Sequence, residues 1–180
     1  VKKTAELNMS AVALTDKANM MGAFHFYRSI RKHNEDDQNQ DKQIKPIIGC
    51  ELNVCEDHTD RTHRDDGYQT VFLAKNKTGY QNLIKMCSLG HTEGFYYVPR
   101  IDNKIVENFK DGLIVLSGDK YGEVSNKILN VGENQAEDAL KWWKSIFKDD
   151  YYLELNRHGE EEDEIVNKVL LKFSKNYSVK

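Results

Sequence analysis

Short apolar runs alternate along the chain with segments in which apolar residues recur every three or four positions. The runs occupy residues 11–14, 46–54, 70–74, 113–116 and 151–155. The first run, Ala-Val-Ala-Leu, has no polar residue on either face. This is typical of a strand buried on both sides in a parallel sheet that is covered by helices. Strands that alternate with amphipathic helices predict an α/β fold in which most strands run parallel.

The segments between these strands have the spacing of amphipathic helices. We expect helices over residues 1–7, 22–33 and 121–129, from Thr78, after Asp102, from Asn134 and from about Glu160. Thr78 with Gln81 and Asn134 with Glu137 have the spacing of capping boxes, and Asp102 is a candidate N-cap. The helical stripes predict that several large side chains are buried, among them Phe24, Tyr27, Tyr80, Ile84 and Ile165.

Two strongly polar segments interrupt this pattern, at residues 34–43 and 56–67. Neither contains a large apolar residue, so we expect both to be solvated, charged loops. His58 and His63 lie in the second segment among several aspartates. Because a polar loop offers no framework to hold ligand geometry, the sequence favours ordinary loop histidines here over a metal site.

Composition narrows the possible functions. The chain has 180 residues, a formal net charge of −3 and 31% charged residues, which argues against a dedicated basic face for nucleic acid. Cys50 and Cys55 point to opposite faces of one predicted strand, and Cys87 lies on a helix, as expected for unpaired thiols in the cytoplasm. No run approaches the ~20 apolar residues of a membrane span. The length predicts one domain, and the helical pattern that starts at the first residue, without a Met, predicts a piece of a longer protein.

Four of the five predicted strands carry an ionisable residue at or near their carboxyl end. They are Asp16 with Lys17, Glu51, Asp119 and His158. In a β/α barrel, residues at the carboxyl ends of strands meet on one face, and carboxylates with an imidazole are suitable ligands for divalent metals. Each residue also has a structural interpretation: Asp16 and Asp119 are good turn or cap formers, and His158 is able to bond a backbone carbonyl.

Six blocks of sequence carry a family resemblance. They read ALTD…NMMGAFHFY, IKPIIGCE, FLAKNKTGYQNLIKMCSL, EGFYYVPRID, GLIVLSGD and YYLELNRHG. In this order they resemble the polymerase-and-histidinol-phosphatase (PHP) domain at the front of the alpha subunit of bacterial replicative DNA polymerase III. The resemblance implies a distorted seven-stranded β/α barrel with a metal cleft at the carboxyl ends of its strands. It also implies that residues 1–180 are one PHP domain, truncated at both ends, and that the fragment alone is inactive because the polymerase carboxylates belong to a later domain.

Compared with family members that have an intact metal site, this chain keeps some ligands and replaces others. Asp16 and Glu51 match the family pattern, and His158 matches a characteristic Arg-His pair. Lys17 and Gln69 stand where such members carry histidine, and Asp119 stands where they often carry cysteine or another ligand. Arg100 also matches, and its role would be either to contact phosphate or to hold the cleft together.

These substitutions favour a degenerate metal site in a domain that acts as a scaffold. The Lys17 ammonium would replace part of the missing metal charge beside Asp16, Glu51 or Asp119. The implied partners are the rest of the alpha subunit, a proofreading exonuclease subunit, and DNA bound through other domains. The alternative is a metal-dependent phosphoesterase with 3′–5′ exonuclease activity that uses Mn, Zn, Fe or Mg, and a small-molecule phosphatase is a weaker third possibility.

Overall fold

A six-stranded mixed sheet forms the centre of the structure, a computed structural model that describes residues 1–180. Its strands are β1 (Ala11–Lys17), β2 (Lys45–Cys55), β3 (Tyr68–Ala74), β4 (Arg100–Asp102), β5 (Leu113–Leu116) and β6 (Tyr151–Tyr152). The strand order is β1-β2-β3-β5-β6, and β4 pairs with β2 beyond the end of β1. The sheet is open, with β1 and β6 at its two edges.

Three of the five strand pairings are parallel, namely β1–β2, β2–β4 and β5–β6. The α/β fold with mostly parallel strands is therefore confirmed. β3 is the exception, because it runs antiparallel to both β2 and β5. A loop without a helix, residues 56–67, joins β2 to β3, and such a return connection leads naturally to an antiparallel neighbour.

Helices fill the remaining connections. They are α1 (Lys2–Glu6), α2 (Ala23–Asn34), α3 (Lys77–Thr92), α4 (Asn103–Asn108), α5 (Glu123–Asn130), α6 (Glu133–Phe147) and α7 (Glu161–Tyr177). All seven helices were expected from the sequence. The first charged segment is more regular than predicted, since a 3-10 helix spans Asp37–Lys42 inside it. None of the helices has the length and apolar character that crossing a membrane requires.

The helix caps correct two of the sequence predictions. α3 is capped by Asn76, whose side chain accepts a hydrogen bond from the Gly79 N–H at 3.0 Å, so Thr78 lies inside the helix. α6 follows Gly132, at φ 151°, and has no side-chain cap, so the box predicted at Asn134 is wrong. The cap predicted at Asp102 is confirmed, because its Oδ1 accepts from the Ile105 N–H at 3.0 Å.

The main core lies between the sheet and helices α3, α5, α6 and α7. Trp143 and Phe147 of α6 pack against Phe72 of β3 and Tyr151 of β6. Alternate residues of β2, Cys50, Leu52 and Val54, face this core. The opposite face of β2 therefore carries Glu51 and Asn53.

Several large apolar residues are exposed, contrary to the helical stripes predicted from the sequence. Phe24 is 67% exposed and Tyr27 is 50% exposed, whereas α2 buries Ala23 and Ile30. α2 packs mainly against β2 and the 3-10 helix at Asp37–Lys42, and these elements leave Phe24 and Tyr27 uncovered. The prediction was also wrong for Tyr80, Ile84 and Ile165, which are more than a third exposed.

Candidate functional site

The polar face of the sheet carries the residues singled out by the family resemblance. Lys17 at the end of β1 is the register partner of Glu51 on β2. One step further, Asn53 of β2 is the partner of Gln69 on β3. Register partners and alternate residues share one face of a sheet. Lys17, Glu51 and Gln69 therefore lie on the face opposite the apolar core. We call this polar part of the sheet the rim.

An ion pair occupies the middle of the rim. The Lys17 Nζ lies 3.4 Å from Glu51 Oε1, with the lysine side chain 57% exposed and the glutamate side chain 27% exposed. An ammonium thus stands next to the carboxylate that the family resemblance identifies as a metal ligand. Since the pair is well solvated, its contribution to stability is small, about 0–1 kcal/mol.

Two further carboxylates, those of Asp119 and Glu154, lie near this pair. Burial raises the pKa of Glu154, and the negative charges of Asp119 and Glu51 raise it further, while His158 opposes the shift. The backbone N–H of Glu154 donates to the Ser117 hydroxyl at 2.9 Å, which links the segment after β6 to the segment after β5. Sequence reasoning missed Glu154, although a lone acid inside the apolar run 151–155 is the same signal that identified Glu51.

Asp119 and Gln69 meet through the turn that follows β5. The Asp119 Oδ1 accepts from the Tyr121 N–H at 2.8 Å, and the Gln69 N–H donates to the Tyr121 carbonyl at 3.0 Å. Gly118 has φ 78°, a left-handed conformation that favours glycine. Asp119 therefore also serves the turn, which is the structural interpretation that the sequence left open.

Asp16 and His158 are not in direct contact with the rim ion pair. Asp16 is the register partner of the core residue Cys50, and its carboxylate packs beside Gly22 at the start of α2. His158 is exposed, and its Nδ1 lies 3.8 Å from Asp163 Oδ1 at the start of α7. The rim thus assembles Lys17 and Glu51, with Asp119 and Glu154 close enough to influence one another electrostatically.

The rim of this chain differs in two respects from a donor set made only of carboxylates and imidazoles. The carboxylate of Glu51 already has a cationic neighbour, and Gln69 supplies only a neutral amide. The ammonium of Lys17 repels an incoming cation. The Lys17 ammonium therefore balances part of the negative charge of the rim carboxylates.

Arg100 is almost wholly buried, with 1% of its surface exposed, and it binds backbone rather than an open site. Its Nε donates to the Gly94 carbonyl at 3.2 Å. Its Nη atoms donate to the carbonyls of Asp65 at 2.9 Å, His58 at 3.2 Å and Asp60 at 2.8 Å. Four of its five N–H donors are thus occupied. These contacts favour a structural role for Arg100 over contact with phosphate, and they hold the loop of residues 56–67 rather than the cleft.

A second group of potential ligands lies in the loop that Arg100 binds. The ligating atoms of Asp57, His58 and Asp102 are all within 4.8 Å of one another. The His58 Nδ1 lies 2.7 Å from Asp102 Oδ2. The expectation that nothing holds His58 in place is therefore wrong. The sequence could not indicate this contact because 44 positions separate the two residues. His63 behaves as expected, with an exposed side chain beside Asp60.

Comparison with known proteins agrees with this architecture. The family model described as PHP domain matches residues 1–158. The chain therefore belongs to the PHP domain family.

Its relatives include three proteins named DNA polymerase III subunit alpha. The protein from Borreliella burgdorferi is 38% identical over 99% of this chain and 15% of its own length. The protein from Deinococcus radiodurans is 36% identical over 93% of this chain and 12% of its own length. The protein from Aquifex aeolicus is 34% identical over 100% of this chain and 16% of its own length. The chain thus spans less than a fifth of the length of these relatives.

Proposed function

We propose that this chain is the PHP domain of a DNA polymerase III alpha subunit and acts within it as a scaffold. The whole subunit would be a DNA-directed DNA polymerase, a nucleotidyltransferase of DNA replication, working in the cytoplasm. Similarity to relatives of that name over nearly the whole chain supports this proposal. Polymerisation would be carried out by other parts of the subunit, so the 180-residue chain alone is expected to be inactive.

The observation that carries the scaffold role is the ion pair of Lys17 with Glu51, 3.4 Å apart. A resident ammonium reduces the repulsion among Glu51, Asp119 and Glu154 without a metal ion. It also disfavours the metal-bound water that hydrolysis of a phosphoester would need. We therefore assign the rim of this chain a structural task, which is to keep the carboxyl ends of β1, β2 and β5 together.

The partners that follow from this role are the remainder of the alpha subunit and a proofreading exonuclease subunit that docks on the domain. The short span of this chain relative to its relatives leaves most of the subunit available for such contacts. DNA would be bound by other domains, which is consistent with the net charge of −3.

The decisive experiment measures nuclease activity and bound metal in the full-length natural chain. With a 3′-labelled single strand and Mn²⁺, we expect no release of the terminal nucleotide, and Glu51→Gln is expected to change neither activity nor metal content. The variant Lys17→His restores the ligand type found in intact sites and is expected to increase Mn²⁺ binding. Release of the nucleotide that Glu51→Gln abolishes would overturn the scaffold assignment.

A second candidate function is supported by one observation, the electrostatic proximity of Glu51, Asp119 and Glu154. Clustered carboxylates attract divalent cations such as Mn²⁺, Zn²⁺, Fe²⁺ or Mg²⁺. In a 3′–5′ exonuclease, they would hold the ion together with residues from other parts of the protein. The same assay separates the two functions, since only the exonuclease predicts activity that depends on Glu51.

A further inference from the structure

Two cysteine side chains meet inside the core, one on the sheet and one on a helix. Cys50 of β2 and Cys87 of α3 are 37 positions apart in sequence, and their Sγ atoms lie 3.4 Å from each other. We propose that these two thiols, which we call the thiol pair, are an oxidation site that hydrogen peroxide converts into a reversible disulfide joining α3 to β2. The proposal does not depend on the scaffold role of the rim.

The packing of α3 on the sheet selects this pair among the three cysteines. α3 packs directly against β2, and Cys50 and Cys87 both belong to the main core. A disulfide holds its sulfurs about 2.05 Å apart, so the two Sγ atoms need to close by about 1.4 Å. Cys55 lies five positions further along β2, and its Sγ instead contacts the Ile101 carbonyl at 3.2 Å. The expected disulfide therefore joins Cys50 to Cys87.

The two thiols differ in reactivity. The hydrogen bond with Cys50 lowers the pKa of Cys87, although burial opposes this shift, whereas the same bond and burial raise the pKa of Cys50. Cys87 is 8% exposed and Cys50 is fully buried. Because the thiolate is the nucleophile, Cys87 reacts first with the oxidant. Cys50 is then the resolving thiol, as in redox sites that place a second cysteine beside the reactive one.

The reaction consumes one molecule of hydrogen peroxide for each disulfide. The Cys87 thiolate attacks one peroxide oxygen, the O–O bond breaks, and the departing hydroxide takes the proton that Cys87 has released. This gives a sulfenic acid and one water molecule. The Cys50 sulfur then attacks the Cys87 sulfur, the S–OH bond breaks, and hydroxide leaves with the Cys50 proton as a second water molecule. The two thiols lose two electrons in total, and the peroxide gains them.

A short segment, residues 18–22, lies against the thiol pair and reaches the surface. The Asn19 carbonyl is 3.4 Å from Cys50 Sγ, whereas the Met21 side chain is 83% exposed. Ala18 has φ 53°, a left-handed conformation that favours glycine. Its carbonyl is held at 2.8 Å by Nε2 of His91, which follows Cys87 by one turn of α3. Movement of this segment opens a path for a molecule as small as hydrogen peroxide, and the His91 contact opposes that movement.

Peptide mapping of the full-length natural chain tests the proposal. The protein is treated with hydrogen peroxide, its remaining thiols are alkylated in urea, and tryptic peptides are identified by mass spectrometry. We expect the peptide that contains Cys87 to be linked to the one that contains Cys50, and a reductant should separate them. This result needs no substitution in the core. If both thiols remain free, or if Cys87 accumulates as a sulfinic acid without the link, the proposal is wrong.

Substitutions identify the partner of Cys87. Trypsin leaves Cys50 and Cys55 in one peptide because no lysine or arginine separates them. Cys55→Ser is therefore the matched control and should retain the linked peptide, whereas Cys50→Ser should lose it. A link that persists in Cys50→Ser would overturn the assignment. His91→Ala should accelerate formation of the disulfide, and His25→Ala, at an exposed position on α2, should not. Equal rates in these two variants would show that residues 18–22 do not control access.

Hydrogen exchange measures what the disulfide does to the fold. The link closes a long loop between β2 and α3, so it should suppress local opening of α3. We expect the amides of α3 to exchange at least about tenfold more slowly in the oxidised full-length chain than in the reduced chain. Exchange in α7, which carries no cysteine, should not change. Equal exchange of α3 in the two forms would show that the disulfide does not fasten this helix to the sheet.

Discussion

Arg100 and Asp102, two positions apart on β4, both hold the loop of residues 56–67. Arg100 donates to three carbonyls of that loop, and Asp102 bonds the side chain of His58. Residues two apart on a strand share a face, so a strand of only three residues offers one charged surface to the loop. Two buried charged side chains are tolerated there because backbone and imidazole groups supply their partners.

Replacing Arg100 by methionine should strongly destabilise the protein. The change keeps most of the side-chain volume but leaves four carbonyl groups without their donor, and each buried unsatisfied group costs about 1–3 kcal/mol. We expect the free energy of unfolding to fall by at least ~3 kcal/mol, measured by urea denaturation. Arg64→Met is the control, since Arg64 is exposed and pairs with Asp66. Equal effects of the two substitutions would contradict the role assigned to Arg100.

Glu154 should make the protein less stable as the pH rises above the ordinary glutamate range. Its pKa is raised in the folded state by burial and by nearby acids, so the unfolded chain loses the proton first. Between the ordinary value and the raised value, the folded state binds more protons, and the free energy of unfolding falls as pH increases. Glu154→Gln removes this penalty. The variant should match the parent near pH 4 and exceed it near pH 7.

Thermal melts at a series of pH values measure this difference. Glu107→Gln, an exposed position on α4, provides the control, and its melting temperature should follow that of the parent at every pH. A parent protein that gains stability relative to Glu154→Gln between pH 4 and pH 7 would have the opposite sign from the one expected. In that case Glu154 would have a stabilising cationic partner in the folded state.

Local patterns predicted most of the helices and strands of this chain, because each element has its own apolar spacing. The run at residues 113–116 is the strand Leu113–Leu116 as expected, and the cap at Asp102 is present. The N-cap of α3 was predicted wrongly because two candidates, Asn76 and Thr78, stand close together. Asn76 is the one that adopts the extended backbone that a cap needs. The predicted burial of Phe24 and Tyr27 was wrong for another reason. Periodicity identifies an apolar stripe on a helix, but it cannot show whether a neighbouring element covers that stripe.

Contacts of the candidate site could be predicted from the sequence only where the ends of adjacent strands align. Register brings Lys17 to Glu51, and a reader of the sequence can expect this from two adjacent parallel strands. The contact between His58 and Asp102 depends on how a loop folds back over β4, and no local pattern encodes that path. The antiparallel direction of β3 could not be predicted either, because an apolar run has the same sequence pattern in a parallel and an antiparallel strand.

The Lys17–Glu51 pair should contribute little to stability even though it occupies the centre of the rim. A double-mutant cycle with Lys17→Met and Glu51→Gln measures its coupling free energy by urea denaturation. We expect a value below ~1 kcal/mol, because both side chains are partly solvated and the pair is screened by salt. The coupling should decrease further in 1 M NaCl. A coupling of several kcal/mol would mean that the pair is desolvated in solution, contrary to the exposure of both side chains.

The three cysteines should be protected from thiol reagents in the folded protein. Cys50 Sγ lies 3.4 Å from Cys87 Sγ, and both side chains are buried. The hydrogen bond between the two thiols raises the pKa of Cys50 and lowers the pKa of Cys87, and burial raises the pKa of Cys55 to about 12. Cys87 is therefore protected by its burial alone. Since the thiolate is the reactive form, a chromogenic aromatic disulfide at pH 8 should label the native chain much more slowly than the urea-unfolded chain. Ser88→Cys, at an exposed position next to Cys87, should react at once. Rapid labelling of the parent protein would show that α3 opens away from β2 under native conditions.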